Sequence, residues 1–319
     1  MRRISVVVPA RNEAAHIGGC VRAVRAQEGA EALLAEVVVA DHGSDDDTAA
    51  LAEAAGARVA PCDGPTIASV RNGGAALATG EVLAFLDADC LPAPGWLRAA
   101  EGAFADPVVV AAGSYPEAYP DGATWVQTTW SRLCRRTDPR PRPADWLPSA
   151  NLLIRREAFD AVGGFDEALE TCEDSDIGYR LGRRGTVLYV PDCRVLHLRE
   201  PRTLAEFFRK EVWHSRHNYT GALRHGIRWG ELPSLAAPAL FLAGVLLAGV
   251  APWFGGAAMV LAGAVLVVGI PTAYTLRALP KADGAGTLLR FWGIYWVYFA
   301  ARAWSIVAAL ATLPGGRRR

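Results

Sequence analysis

The chain has 319 residues, with 33 Lys and Arg against 33 Asp and Glu, so it carries no net formal charge. That balance removes the electrostatic case for a nucleic-acid partner, and the length suits one large catalytic domain with a smaller addition. Six scattered cysteines, at 20, 62, 90, 134, 172 and 193, form no Cys-x-x-Cys pair; they read as reduced thiols, not a disulfide frame or a zinc site.

Over the first ~220 residues, short apolar runs alternate with helix-like segments, a βαβ rhythm that implies an α/β fold. The run Ile4–Pro9 ends in Ala10-Arg11-Asn12-Glu13, and its apolar stretch is too short for a signal peptide. Glu36–Ala40 ends in Asp41, followed by His42-Gly43-Ser44-Asp45-Asp46-Asp47-Thr48. Val82–Leu86 stops on Asp87-Ala88-Asp89. Continuous aliphatic runs suit parallel strands buried on both faces, which would put all three polar clusters on one rim of the sheet. Ala-rich segments around 13–28, 45–56 and 66–79 read as the covering helices. No Gly-x-Gly-x-x-Gly follows the first strand and no Gly-x-x-x-x-Gly-Lys occurs, which argues against dinucleotide and P-loop folds.

Asp87 and Asp89 are spaced i, i+2, so in an extended chain their carboxylates point the same way. Two such oxygens at the carboxyl end of a strand suit a divalent cation holding phosphates. Equally, both can simply close a strand and open a turn. Further on, Glu173-Asp174-Ser175-Asp176 precedes a segment of helical character, where acidic residues either cap the helix or do chemistry. Asp176 reads as a helix residue. Between Ser114 and Ser149 the chain turns irregular, with Pro139, Pro141 and Pro143 among Arg135, Arg136, Arg140 and Arg142, and with Trp125, Trp130 and Trp146 nearby; this is either a solvated loop or a lid over an acceptor.

Residues 203–219 look amphipathic and suit a membrane surface or a helix packed on the domain. From Leu232 to Leu276, 45 residues carry no formal charge. A helix crosses the hydrocarbon core in roughly 20 apolar residues, so spans are expected near 235–253 and 256–276, broken by Pro252 and Gly255-Gly256. The stretch 291–313 is ambiguous. Its Trp292, Tyr295, Trp296, Tyr298 and Trp304 suit a headgroup boundary, whereas Arg302 and the tail Arg317-Arg318-Arg319 weigh against a span. The expectation is thus a cytoplasmic domain over 1–230 and a membrane domain over 231–319, multi-pass in the cell membrane and in contact with its lipids.

These pieces, in this order, resemble the family 2 glycosyltransferases, GT-A-fold enzymes that take a sugar from a nucleotide-sugar donor. The resemblance covers residues 4 to about 200. It rests on Val6–Glu13, on Asp41–Thr48 (with His42 at the second position of an Asp-Asp-Gly-Ser segment), and on Arg71-Asn72 and Asp87-Ala88-Asp89. Asn151–Arg156, Gly163-Gly164-Phe165-Asp166-Glu167 and Glu173–Asp176 complete it. It implies a mainly parallel GT-A sheet and a UDP- or GDP-sugar donor bound by Pro9, Arg11, Glu13, Asp41, Arg71, Asp87 and Glu173. It further implies a Mg²⁺ or Mn²⁺ ion on Asp89, with His197 as a further metal or diphosphate ligand, and Asp174 as the base of an inverting transfer. The acceptor would be lipid-linked or a glycan. Processive members carry Gln-x-x-Arg-Trp where this chain reads Lys210-Glu211-Val212-Trp213-His214, so transfer of a single sugar is expected. A sugar nucleotidyltransferase or an inactive GT-A binding protein are the other readings of such a chain.

Overall fold

The structure is a computed structural model that describes residues 3–118, 122–134, 139–216, 219, 229, 231–254 and 256–312. Arg135, Arg136, Gly255 and the tail Arg317–Arg319 lie outside the described residues. Two compact units divide the chain: Met1–Tyr119 with Arg135–Glu200, and Pro120–Cys134 with Pro201–Arg319. By packing, then, the division falls at Glu200, ahead of the compositional boundary expected at residue 230.

In chain order the first unit begins β1 (Ile4–Ala10), α1 (Ile17–Arg25), α2 (Ala30–Leu33), β2 (Leu34–Asp41), α3 (Thr48–Ala54), β3 (Arg58–Pro61), α4 (Ile67–Leu77) and β4 (Val82–Leu86). Next come β5 (Cys90–Pro92), α5 (Trp96–Ala103), β6 (Val109–Gly113) and β7 (Glu117–Ala118); α6 (Trp125–Cys134) then belongs to the second unit. The first unit resumes with β8 (Arg142–Pro143), β9 (Asn151–Arg155), α7 (Arg156–Ala161), α8 (Glu173–Leu181), β10 (Thr186–Tyr189) and β11 (Val195–His197).

Eight strands form one sheet in the order β3-β2-β1-β4-β9-β6-β10-β8, and a small second sheet runs β5-β11-β7. The half from β3 to β4 is parallel, as the apolar runs require. β9 is inserted antiparallel between β4 and β6, so the sheet is mixed. Along β1 successive residues feed opposite faces: Val6 and Val8 join the core beneath α1 and α5, while Val7 joins the core beneath α4, α7 and α8. Both faces are covered, which is why the runs lack polar alternation. Pro9 is tolerated in this central strand because the ladder with β4 covers only Ile4–Val7.

Two motifs read from sequence turn out to be structural hubs. Asn151 is fully buried; it accepts from Trp96 Nε1 at 2.9 Å and donates to Ser114 Oγ at 2.9 Å and to the Cys193 carbonyl at 2.7 Å. Asn72 donates to the Phe165 carbonyl at 2.9 Å and to Glu167 Oε1 at 2.8 Å, and accepts from Phe165 N at 3.0 Å, which fixes the Gly-Gly-Phe-Asp-Glu loop. Gly164 in that loop has φ +70°, and a Cβ there would stand 2.8 Å from Asn72 Oδ1.

The second unit adds α9 (Leu204–His214), α10 (Leu232–Phe254), α11 (Gly256–Arg277) and α12 (Ala285–Thr312) to α6. α10 and α11 form the expected apolar hairpin, closely apposed where Gly244 meets Gly263: a Cβ on Gly263 would lie 2.7 Å from the Gly244 carbonyl. The stretch read as irregular between Ser114 and Ser149 is helical over Trp125–Cys134. Val126, Trp130 and Leu133 fall on one face of α6 and pack with Phe207 of α9 and with Phe291 and Ile294 of α12. Trp130 is therefore a core residue, its ring 4.9 Å from that of Phe207. Helical spacing of apolar residues overrode the turn signals on either side.

Asn151→Ala would strand the Trp96 indole N–H inside the core, whereas the Ser114 hydroxyl would keep its bond to the Cys193 carbonyl. A loss of about 1–3 kcal/mol is expected, the range for one orphaned buried group, read as a lowered unfolding midpoint with the secondary structure retained.

Candidate active site

β1, β2 and β4 are mutually parallel, so their carboxyl ends share one rim. The loops after β1 and β2 are stitched together there. Asn12, at φ +55°, accepts from Asp45 N at 2.8 Å, and its own N–H donates to Ser44 Oγ at 3.0 Å. Glu13 N donates to Thr48 Oγ1 at 2.7 Å. Asp41 holds the turn: Ser44 Oγ donates to its Oδ1 at 2.5 Å and Ser44 N to its Oδ2 at 3.1 Å. Each oxygen keeps a lone pair for a further donor. Pro9 is buried within β1 and Arg11 is exposed beside the rim. Neither side chain joins the charged cluster formed by the other site residues.

That cluster centres on Arg71, which lies within α4 and is 3% exposed. Its Nη2 donates to Asp87 Oδ1 and its Nη1 to Glu173 Oε1, both at 2.8 Å. Ser149 Oγ also donates to Glu173 Oε1, at 3.1 Å. Burial works against the guanidinium's charge, but Asp87 and Glu173 outweigh it and raise its pKa. One buried cation thus ties the end of β4 to the start of α8. Its Nε is buried without a hydrogen-bond partner among the described residues.

Asp174 follows Glu173 in the first turn of α8, just after Cys172 in the left-handed region at φ +66°. Its Oδ1 accepts from Ser175 N at 2.7 Å. Desolvation pushes the Asp174 carboxyl up to about 7, and the neighbouring Glu173 charge adds to it, against Arg71 and the Ser175 amide. Asp176 forms a two-pronged pair with Arg180, at 2.8 and 2.6 Å, as suits a helix residue.

Asp87 and Asp89 do not act as a parallel pair on an extended strand. β4 ends at Leu86, and a turn closed by Cys90 N donating to the Asp87 carbonyl at 3.0 Å sends the two carboxylates to different partners. Asp89 Oδ1 stands 3.4 Å from His197 Nε2, because β5 and β11 pair with His197 opposite Cys90. His197 Nδ1 is 3.0 Å from Glu200 Oε1. Possible ligand atoms of Asp89, Cys90 and His197 all lie within 4.8 Å of one another. A carboxylate oxygen and an imidazole oriented by a second carboxylate form a donor set that fits a divalent ion such as Mn²⁺. Burial raises the Cys90 thiol well above its usual range, and a neutral thiol suits Mg²⁺ or Mn²⁺ poorly.

Glu13 faces the same region. Its Oε1 accepts from Arg199 at 2.6 Å, and its Oε2 is buried with no hydrogen-bond partner among the described residues. Burial raises its pKa, with Asp89 and Asp87 adding to the effect against Arg199. Sequence reasoning missed Arg199, Glu200 and Ser149. The first two lie two and three residues beyond His197, so the only available signal was proximity to a singled-out residue.

Comparison with known proteins bears on this arrangement. Over 71% of this chain and 52% of its own, the structure of GalNAc-T7 with UDP, GalNAc and Mn²⁺ superimposes with a TM-score of 0.52 at 21% identity. A mannosyltransferase from Pyrobaculum calidifontis, solved with GDP-Man and Mn²⁺, matches 97% of this chain and 87% of its own at a TM-score of 0.61 and 19% identity. These likenesses establish the GT-A fold. In sequence, the profile of glycosyl transferase family 2 matches residues 5–163. The succinoglycan biosynthesis protein ExoA of Rhizobium meliloti is 31% identical over 76% of this chain and 77% of its own length. The chain belongs to glycosyl transferase family 2. It is also 30% identical to the pre-mycofactocin glycosyltransferase of Mycobacterium tuberculosis over 77% of this chain, yet spans only about half, 52%, of that relative.

Arg71→Met removes the shared cation and leaves Glu173 buried against Ser149 alone. A loss of about 3–5 kcal/mol is expected, the range for breaking a buried pair from one side, measured by chemical denaturation in detergent.

Proposed function

We propose that this chain is a membrane-anchored, inverting glycosyltransferase that moves one sugar from a nucleotide-sugar donor to a lipid-linked or glycan hydroxyl. The observation that carries this reading is the Arg71 bridge, which sets a carboxyl with a pKa near 7 beside the strand rim where open α/β sheets bind ligands. In this reading the donor's base and ribose lie against Asp41 and Glu13, with Arg11 at the entrance and Pro9 shaping the end of β1 beneath it. Arg71 holds Asp87 toward the ribose and diphosphate and fixes Glu173 beside the base. Asp89 and His197 would hold a divalent cation, which when bound neutralises the departing diphosphate.

Asp174 takes the proton of the acceptor hydroxyl as that oxygen attacks the anomeric carbon from the face opposite the diphosphate. The bond from the anomeric carbon to the diphosphate oxygen breaks, the diphosphate leaves with the electron pair, and the configuration inverts. The two solved structures bound to GDP-Man or to UDP with Mn²⁺ support a nucleotide-sugar donor and a divalent ion. An N-acetylglucosaminyl-diphospho-decaprenol L-rhamnosyltransferase of Mycobacterium tuberculosis, 37% identical over 36% of this chain and 41% of its own length, supports a lipid-linked acceptor.

Anchoring rests on α10 and α11. Candidate spans of 20 and 22 residues lie within them, with only 28% and 11% of those stretches buried. Helices this apolar and this uncovered need lipid around them. The domain over 1–230 would then face the cytoplasm.

Asp174→Asn should lower turnover by roughly 10²–10⁴-fold with donor affinity retained in a binding assay; an equal loss of donor affinity would assign Asp174 to binding instead. The base works only when ionised. With its carboxyl raised to about 7, kcat/KM should fall about tenfold per pH unit as pH drops below that value, the limb belonging to the Glu173–Asp174 pair. An ordinary aspartate would hold its activity down to about pH 4. Asp89→Ala should abolish the Mn²⁺ dependence of donor binding in a thermal-shift titration, leaving the metal-free unfolding midpoint in place.

A further inference from the structure

We infer that α12 does not cross the membrane but lies in its plane, an interfacial helix carrying α6 and α9 on one side and facing lipid on the other. The inference rests on the anchoring role of the α10–α11 hairpin, and it leaves the chain with two spans.

The first observation is how α12 meets the hairpin. Within the hairpin the helices run antiparallel, with Tyr274 Oη donating to the Pro233 carbonyl and Gly263 against Gly244. A third span would run alongside, descending along α11 and ascending along α10 as its own numbering rises. The contacts do neither. Trp292 Nε1 donates to Thr272 Oγ1 at 3.1 Å, yet Tyr295 and Phe299 both meet Tyr274 edge to face, with ring centroids 5.5 and 4.9 Å away. Trp296 and Phe299 both meet Phe241, and Ala303 and Ala237 belong to the same cluster. Residues 292–303 of α12 therefore cross the half of the hairpin away from its tip, in a cluster with residues 237–242 and 267–274, instead of following it toward Gly256.

The second observation is how polarity is arranged around α12. At about 100° per residue, Phe291, Ile294, Tyr298, Arg302 and Ser305 share one face. That face packs on α6 and α9: Phe291 and Ile294 against Val126, Leu133 and Phe207, and Arg302 against Glu211 at 3.2 Å. Ser305 receives a hydrogen bond from Ser215 at 2.7 Å and donates to the Val212 carbonyl at 2.8 Å. Leu289, Trp304 and Val307 lie on the opposite side and are 70%, 58% and 41% exposed. Polarity thus varies around the axis, as in a helix lying at an interface, and not along it, as in a span.

The charged helix α9 makes the point energetically. If residues 291–305 crossed the bilayer, α9, which follows them through Phe207, Glu211 and Val212, would enter hydrocarbon with Glu206, Arg209 and Lys210. Each such charge costs at least a few kcal/mol at depth. With α12 in the headgroup plane, α6 and α9 stay in water and the Leu289–Trp304–Val307 stripe meets the acyl chains.

The test is a depth measurement on the full chain in nanodiscs of phosphatidylcholine and phosphatidylglycerol. Nitroxide labels go on Leu289→Cys, Trp304→Cys and, in the hairpin, Val265→Cys, each in a Cys134→Ser background because Cys134 is exposed. Accessibility to oxygen and to a nickel chelate reports depth. Expected are equal depths for 289 and 304, to within about one helix radius, 5 Å, both shallower than 265. A difference near 22 Å between 289 and 304, their separation along a helix axis, would overturn the inference with the anchor intact. A label at 265 that stays water-accessible would remove the anchor itself, and the inference with it.

Discussion

A single buried guanidinium sets the geometry of the candidate active site. Arg71 sits in α4 with almost no exposure, and such a charge is stable only when fully matched. Its two partners come from elements far apart in the chain, Asp87 after β4 and Glu173 at the start of α8. Their separation is fixed by the fork of one guanidinium, so the rim that would hold the donor and the carboxylate that would serve the acceptor cannot drift independently. The same arrangement crowds like charges: Glu173, Asp174 and Asp176 share the first turn of α8. The helix dipole favours them there, but the desolvated Asp174 carries what remains unmatched and its pKa rises. Cys172, in a left-handed conformation unusual for a residue with a Cβ, marks the same junction.

Much of the first unit was legible because buried parallel strands leave a strong trace. Ile4–Ala10, Leu34–Asp41 and Val82–Leu86 are continuous apolar runs, and their polar ends fall on one rim as expected. The inserted antiparallel β9 was not legible, since Asn151–Arg155 reads like any other buried strand and its direction depends on distant connections. The carboxylates at 87 and 89 were found, yet their divergence was not, because a turn after β4 replaces the extended geometry on which the i, i+2 argument depends. Glu13 and Arg199 meet across 186 residues. Local sequence carries no sign of such a pair; only the pairing of β5 with β11 brings the second residue near.

The second unit shows the opposite balance between composition and contact. Composition was enough to find α10 and α11, because 45 uncharged residues admit few other fates. At α12 composition left two readings open, with aromatic residues suited to a headgroup boundary and Arg302 an expensive charge for a span. In the structure Tyr295, Trp296 and Phe299 pack into the half of the hairpin away from its tip. Arg302 lies against Glu211, with its guanidinium carbon 4.3 Å from the centre of the Tyr298 ring. The charge is therefore part of the joint between α9 and α12, and its carboxylate partner, 91 residues away, is invisible to a window moved along the chain.

Charge around the rim also bears on why the donor would need a cation. Glu13, Asp87, Asp89, Glu173 and Asp174 converge on the region served by Arg71 and Arg199. Arg71 answers Asp87 and Glu173, and Arg199 answers one oxygen of Glu13. Among the described residues Asp89 is paired with His197, whose Nδ1 already faces the Glu200 carboxylate. A nucleoside diphosphate brought to this surface adds negative charge to negative charge. Attraction requires a positive centre between Asp89 and the phosphates, and the paired oxygen and nitrogen donors of Asp89 and His197 are where one fits. Asp87 is held out of that role by Arg71, so in the proposed reading the two acids of the motif would divide the work: one locked into the scaffold, the other free to hold an ion.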